Sequence, residues 1–232
     1  MGGETPYTLS RGAHVSAGDG RCAMEWVAYL AGERHSDQPH CVCRALRQFT
    51  VRLNDSMPDD VRQRLRPYLA RMIGTADDQL APARGWRMVD WAAREVVPLA
   101  LDATGHHDLA DELRALRPVR QHPSAQQAAD ALARASAAPG LDPRARHIVA
   151  IAASAARGRV PSQVAETAAH AAHDLGLGEV WPRVLALLDE LLPGEVVAVP
   201  EPLGGVSEGT RTPDRLDHNQ ELYQLSYAHQ AC

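Results

Sequence analysis

The stretch Ser124-Ala125-Gln126-Gln127-Ala128-Ala129-Asp130-Ala131-Leu132-Ala133-Arg134-Ala135-Ser136-Ala137-Ala138-Pro139-Gly140 decides the fold. Alanine is the strongest helix former, and a Pro-Gly pair is a strong stop. Three more helices follow at about 142–157, 161–175 and 179–192, parted by Arg157 to Pro161 and by Gly176 to Gly178. Small side chains let such helices approach closely while offering little chemistry.

Moving toward the N-terminus, the same periodicity continues with larger residues. Cys22, Trp26, Tyr29 and Leu30 recur at helical spacing from Arg21 to about Glu33, where Gly32 weakens the helix. His35 to Cys41 is a loop, because Pro39 disfavours a helical Gln38. A second helix runs from about Cys43 to Asn54 on Leu46, Phe49, Thr50 and Leu53. A third follows Pro58, with Ser56 as its expected N-cap and Pro67 expected to kink or break it. Trp86 to Leu101 forms a fourth, carrying Pro98 inside and ending near Gly105. Leu109, Leu113 and Leu116 form a fifth, with Asp108 as its expected N-cap and Pro118 as its stop.

The fold class is therefore all-α, an irregular bundle of about eight or nine short helices. Strand-like alternation is confined to Val196, Val197 and Val199, and no repeat of solenoid length is present. Residues 1–20, rich in Gly, Ser and Thr, read as an irregular arm. Residues 21–194 read as the helical domain, with a sub-boundary allowed near 118–123, and residues 195–232 as a disordered tail.

Composition bounds the function. Of the 232 residues 45% are hydrophobic but only 4% aromatic, which makes the core aliphatic and alanine-rich. Every basic residue besides histidine is arginine. A net charge of −5 gives no overall drive toward nucleic acid or an anionic membrane. One local exception is the arginine-rich face from Arg44 to Arg71 (Arg44, Arg47, Arg52, Arg62, Arg64, Arg66, Arg71), which keeps a nucleic-acid partner open, although such stripes are usually solvated surface. No signal peptide and no membrane-length apolar run is present, so the expected location is the cytoplasm, with no membrane partner. In that reducing setting Cys22, Cys41, Cys43 and Cys232 argue against a disulfide framework.

The densest chemistry is Cys22, Glu25, His35, Asp37, His40, Cys41 and Cys43. Cys22, His40, Cys41 and Cys43 supply four soft ligands of the kind that hold Zn²⁺, though their spacing departs from standard zinc motifs. Alternatively, Cys22 serves as a nucleophile with His35 or His40 as base and Glu25 or Asp37 as the orienting carboxylate. The third reading is structural: free cysteines are commonly buried, and Glu33, His35, Ser36 and Asp37 suit a hydrogen-bonded helix end and loop. This last reading is preferred. Elsewhere, Glu166, His170 and His173 share a helix face and would bind a metal only with ligands from a partner helix, so an exposed polar stripe is expected. Trp86 and Trp91, five apart, do not stack on one face and suit core or interface positions. Phosphate-binding loops and the common hydrolase motifs are absent.

The segment Cys22-Ala-Met-Glu25 through Gly32-Glu33, Ser36-Asp37, Pro39 and Cys41, with Asn54-Asp55 beyond, resembles the opening of a family of uncharacterised helical proteins from actinobacteria and their phages. Asp90-Trp91, Pro98 and Leu113 to Pro118 are similar to its middle section. The resemblance spans roughly Arg21 to Pro118, and it implies a shared arrangement around Cys22 without implying an activity.

The tail carries a second resemblance. Gly209-Thr210-Arg211-Thr212, Leu216 to Gln220 and Glu221 to Tyr227 are similar, in that order, to the antisense translation of the T-loop, anticodon arm and D-arm of a histidine tRNA gene, with the anticodon opposite His218. A neighbouring tRNA gene is a frequent setting of integrated mobile elements. The expected function is thus a non-enzymatic helical interaction or regulatory protein of mobile-element origin with a protein partner. A cysteine- or metal-dependent enzyme centred on Cys22, Glu25 and His35 and a nucleic-acid-binding accessory protein are the alternatives.

Overall fold

The computed structural model describes residues 8–192 and Gly194. The tRNA-like tail and the Val196 to Val199 run lie outside the described residues. Within them the chain is helical, with no strand.

The first half is built around α2 (Arg44–Ser56), whose apolar face of Leu46, Phe49, Thr50 and Leu53 is buried. Against it pack α1 (Ala23–Leu30) and α5 (Ala81–Trp91), while α1 also packs on α4 (Arg66–Met72). Between α2 and α4 lies α3 (Asp59–Arg62), joined to α4 by a 3-10 turn at Gln63–Leu65. The break expected at Pro67 is that turn. Pro67 sits in the first turn of α4, where a missing N–H costs nothing. Ser56 is the last residue of α2 and does not cap α3; Pro58 holds the N-cap position there.

Pro98 is accommodated differently. Helix α5 passes without interruption through a π-helical segment, Ala92–Val96, into α6 (Val97–Ala103). A proline inside a helix clashes with the carbonyl four residues before it, and the wider π turn just upstream absorbs that clash without ending the helix. Helix α7 (His107–Arg114) folds back on α6. Its N-cap is His106, and Asp108 lies in its first turn, where an acid suits the helix dipole.

Helices α8 (His122–Ser136) and α9 (Pro143–Gly158) form a tight hairpin, followed by α10 (Pro161–Asp174) and α11 (Val180–Leu191). The alanine content permits this closeness: Ala128, Ala129, Ala152, Ala165 and Ala168 are all but inaccessible. Helix α10 packs at once on α2, α9 and α5. The elements on either side of 118–123 therefore share one core. Large side chains concentrate in its first half (Trp91, Phe49, Leu46, Met88), and each such burial is worth about 1.5–3 kcal/mol.

No described helix is long and apolar enough to cross a membrane.

Candidate functional site

Helix α1 begins at Cys22 with a capping box. The Cys22 Sγ accepts from the Glu25 amide at 3.5 Å, and the Glu25 carboxylate accepts from the Cys22 amide at 2.7 Å. Sulfur is a poor acceptor, so most of the cap rests on Glu25. The Glu25 carboxylate is 1% exposed and serves more than the cap. It accepts the His14 amide at 2.6 Å and the His14 Nδ1–H at 2.8 Å, with His35 Nε2 at 3.6 Å. His35 in turn donates Nε2–H to the His14 carbonyl at 2.9 Å. Burial pushes the Glu25 carboxyl up, but the His14 and Cys22 amides and the His14 ring outweigh it and hold the group ionised below the usual range.

Cys22 has the opposite character. It is 4% exposed, and burial beside the Glu25 charge pushes its thiol up to about 12. An activated nucleophile needs the reverse, a thiol lowered by a neighbouring cation. Thus Glu25 and His35 do come together, but through His14, which the sequence reading did not single out. Cys22 faces the helix start.

The proposed zinc ligands do not assemble. Among the described residues no group of three His, Cys, Asp or Glu side chains is placed to hold a metal ion. The physical reason is that each ligand has another task or direction. Cys22 caps α1, while Cys43 is the buried residue at the start of α2, its amide bonded to Thr75 Oγ1 at 3.0 Å. His40 is exposed. The amides of His40 and Cys41 are both tied to the Glu33 carboxylate, at 2.7 and 2.8 Å. Asp37 takes no part in the cluster, whereas Ser36 Oγ accepts the Gln38 amide at 3.0 Å within the loop.

The arm expected to be irregular is clamped over this region. Gln63 grips Leu9 twice, accepting its amide at 2.9 Å and donating to its carbonyl at 3.0 Å. Asn54, fully buried near the end of α2, donates to the Ser10 carbonyl at 2.8 Å and accepts the Ala23 amide at 3.1 Å. Asp55 accepts the Gly12 amide at 2.8 Å. Gly20 closes the segment with φ +116°, a conformation suited to glycine. A Cβ there would lie 2.8 Å from Ser10 Oγ and 3.2 Å from His14 Nε2. Adjacent Asn and Asp at a helix end were the only sequence signal of this clamp.

The stripe on α10 faces α2. Glu166 pairs with Arg52 at 2.7 Å, His170 Nδ1 with Asp174 at 2.8 Å, and His173 Nε2–H donates to the Ser56 carbonyl at 2.7 Å, covering the C-terminal end of α2. These residues border an open cleft of about 290 Å³ that Arg11 reaches from the arm. The partner helix thus meets the stripe with the Arg52 guanidinium, while its Asp55 carboxylate, which also borders the cleft, is taken up by the Gly12 amide.

Four of the seven arginines of the arginine-rich face are spent internally. Arg47 donates to the Pro39 carbonyl, Arg52 binds Glu166, and Arg62 donates to the Asn54 and Met57 carbonyls. Arg71 binds Asp189 at 2.6 Å and the Leu192 carbonyl at 3.2 Å. Arg44 and Arg64 are exposed. Arg84, outside that face, joins Asp78 to the Leu191 carbonyl. Trp91 is buried in the core, and Trp86 lies partly buried under the Arg159 guanidinium.

Compared with known proteins, the chain matches no family model, no curated protein and no solved structure.

Proposed function

We propose that this protein is a non-enzymatic helical interaction or regulatory module in which the Cys22 to Cys43 segment shapes the fold. One observation carries the reading. The most buried ionised group of that segment, Glu25, already has its lone pairs engaged by His14 and Cys22, and the thiol beside it is buried and pushed away from reactivity. A carboxylate that is 1% exposed and accepts three hydrogen bonds from its own chain is poorly placed to take a substrate proton. The resemblance to actinobacterial and phage proteins favours a mobile-element setting for the same module.

Native thiol labelling tests this against the enzyme reading. In the full-length chain at neutral pH, Cys22 should resist iodoacetamide and react only after unfolding, as read by peptide mass spectrometry. Rapid and selective labelling of native Cys22 would favour a nucleophile and end the proposal. The nucleic-acid reading is weakened by the internal use of Arg47, Arg52, Arg62 and Arg71. It predicts steeply salt-dependent binding to duplex or single-stranded DNA or RNA.

A further inference from the structure

Residues 8–14 are held as a bound peptide is held. The amides of Leu9, Gly12 and His14 and the carbonyls of Leu9 and Ser10 are met by the side chains of Gln63, Asp55, Glu25 and Asn54. The indole of Trp26 adds a bond to the Thr8 carbonyl at 3.0 Å. Reading a main chain with side-chain amides and carboxylates, and anchoring it with one apolar residue, is a mode of peptide recognition. The anchor here is Leu9, 2% exposed, and the far end is fixed by the His14 ring on Glu25.

The connection from this segment to α1 has a different character. Val15 is 98% exposed, Ser16, Gly18 and Asp19 are exposed, and the bond from Ser16 to Asp19 is local. Glycines with positive φ lie on both sides of the link, Gly12 at +79° and Gly20 at +116°. Such a link can absorb a large change of backbone direction. Opening the clamp uncovers Leu9 and releases the hydrogen bonds named above together with that of the Ser10 amide to the Arg21 carbonyl at 2.8 Å, so opening is favoured only where a second segment restores them.

We propose that the groove formed by Glu25, Trp26, Asn54, Asp55 and Gln63 is a peptide site filled in cis, and that it takes residues 8–14 of a second copy of this chain by exchange. The second copy is the occupant that fits. It offers the same leucine, the same glycine at the turn and the same histidine for the buried carboxylate, so every bond lost on opening is regained on pairing. This goes beyond the reading of Cys22: thiol labelling decides that one and leaves this untouched.

The test uses the full-length chain. Unlabelled and ¹⁵N-labelled protein are mixed, opened in mild urea, returned to buffer at increasing concentration and weighed by native mass spectrometry. Mixed-mass dimers should form. Excess synthetic peptide of residues 8–15 should lower their fraction at least tenfold, whereas the same peptide with Leu9→Asp should not. Monomer at every concentration, dimers indifferent to the first peptide, or equal suppression by both peptides would each overturn the proposal.

Discussion

His14 places its main-chain amide on one oxygen of Glu25 and its ring Nδ1 on the other, at 2.6 and 2.8 Å. A single buried carboxylate therefore fixes both the backbone and the side chain of one residue, and through the Cys22 amide it also fixes the start of α1. Replacing it by an amide leaves one acceptor oxygen and introduces an NH₂ facing donors. Glu25→Gln should lower the unfolding free energy by about 2–4 kcal/mol, the range for losing charged hydrogen bonds at a buried site. Urea denaturation read by circular dichroism measures it; a change under ~0.5 kcal/mol would show that the cluster holds nothing together.

Acid should weaken the fold through the same groups. At Glu25 and at Glu33 burial pushes the carboxyl up, but hydrogen bonds to the charged form prevail and both lie below their ordinary value of 4.5. Asp142, held by Arg144 and by the first amides of α9, is lowered from 3.8 to about 2. The unfolded chain then takes up protons first, so this stability is fully present above pH 4.5 and is lost as the pH falls through the folded values. The unfolding midpoint measured against pH should decline from there, and the double variant Glu25→Gln, Glu33→Gln should show a shallower acid slope.

Cys22 tests how little the sulfur itself contributes. Serine is a better N-cap acceptor of similar size, so Cys22→Ser should keep or raise stability, whereas Cys22→Val should cost about 1 kcal/mol by losing the cap. Thermal melts of the two variants should bracket the native chain. A serine variant that melts as early as the valine one would show that burial of the thiol, not the cap, is what matters.

The contact between Arg71 and Asp189 should be asymmetric. The Arg71 side chain is 6% exposed and also meets the Leu192 carbonyl, while Asp189 is 51% exposed. Asp189→Asn leaves water to solvate that side and should cost under about 1 kcal/mol. Arg71→Ala removes a buried donor from α11 carbonyls and should cost about 2–4 kcal/mol. Chemical denaturation of both variants checks the ratio.

The helices were legible because alanine and leucine periodicity is a local property, and Pro139-Gly140 or Gly176 to Gly178 end helices wherever they occur. The helix through Pro98 was legible, but the π turn at Ala92–Val96 that relieves the proline's clash was not, because nothing in the sequence announces it. The site was half legible. Glu25 could be placed on the Cys22 face from the three-residue spacing, but His14 comes from an aperiodic segment and meets it only through tertiary contacts. Gln63 was hidden likewise, and the Asn54-Asp55 pair was visible without its purpose, since a side chain that binds a distant stretch of backbone leaves no pattern in its own neighbourhood.

Arg71 and Arg84, in the first half of the chain, terminate on the carbonyls of Leu192 and Leu191 at the far end of α11. This separation of more than a hundred residues gives the molecule a schedule as well as a shape. During synthesis Arg84 can pair at once with Asp78, six residues before it, whereas the bonds from Arg71 and Arg84 to the end of α11 form only when that helix has been made, because long-range contacts must await their partners. A chain that stops before Leu191 lacks both of these bonds and keeps the local pairing of Arg84, so the closing of the seam depends on the far end of the body.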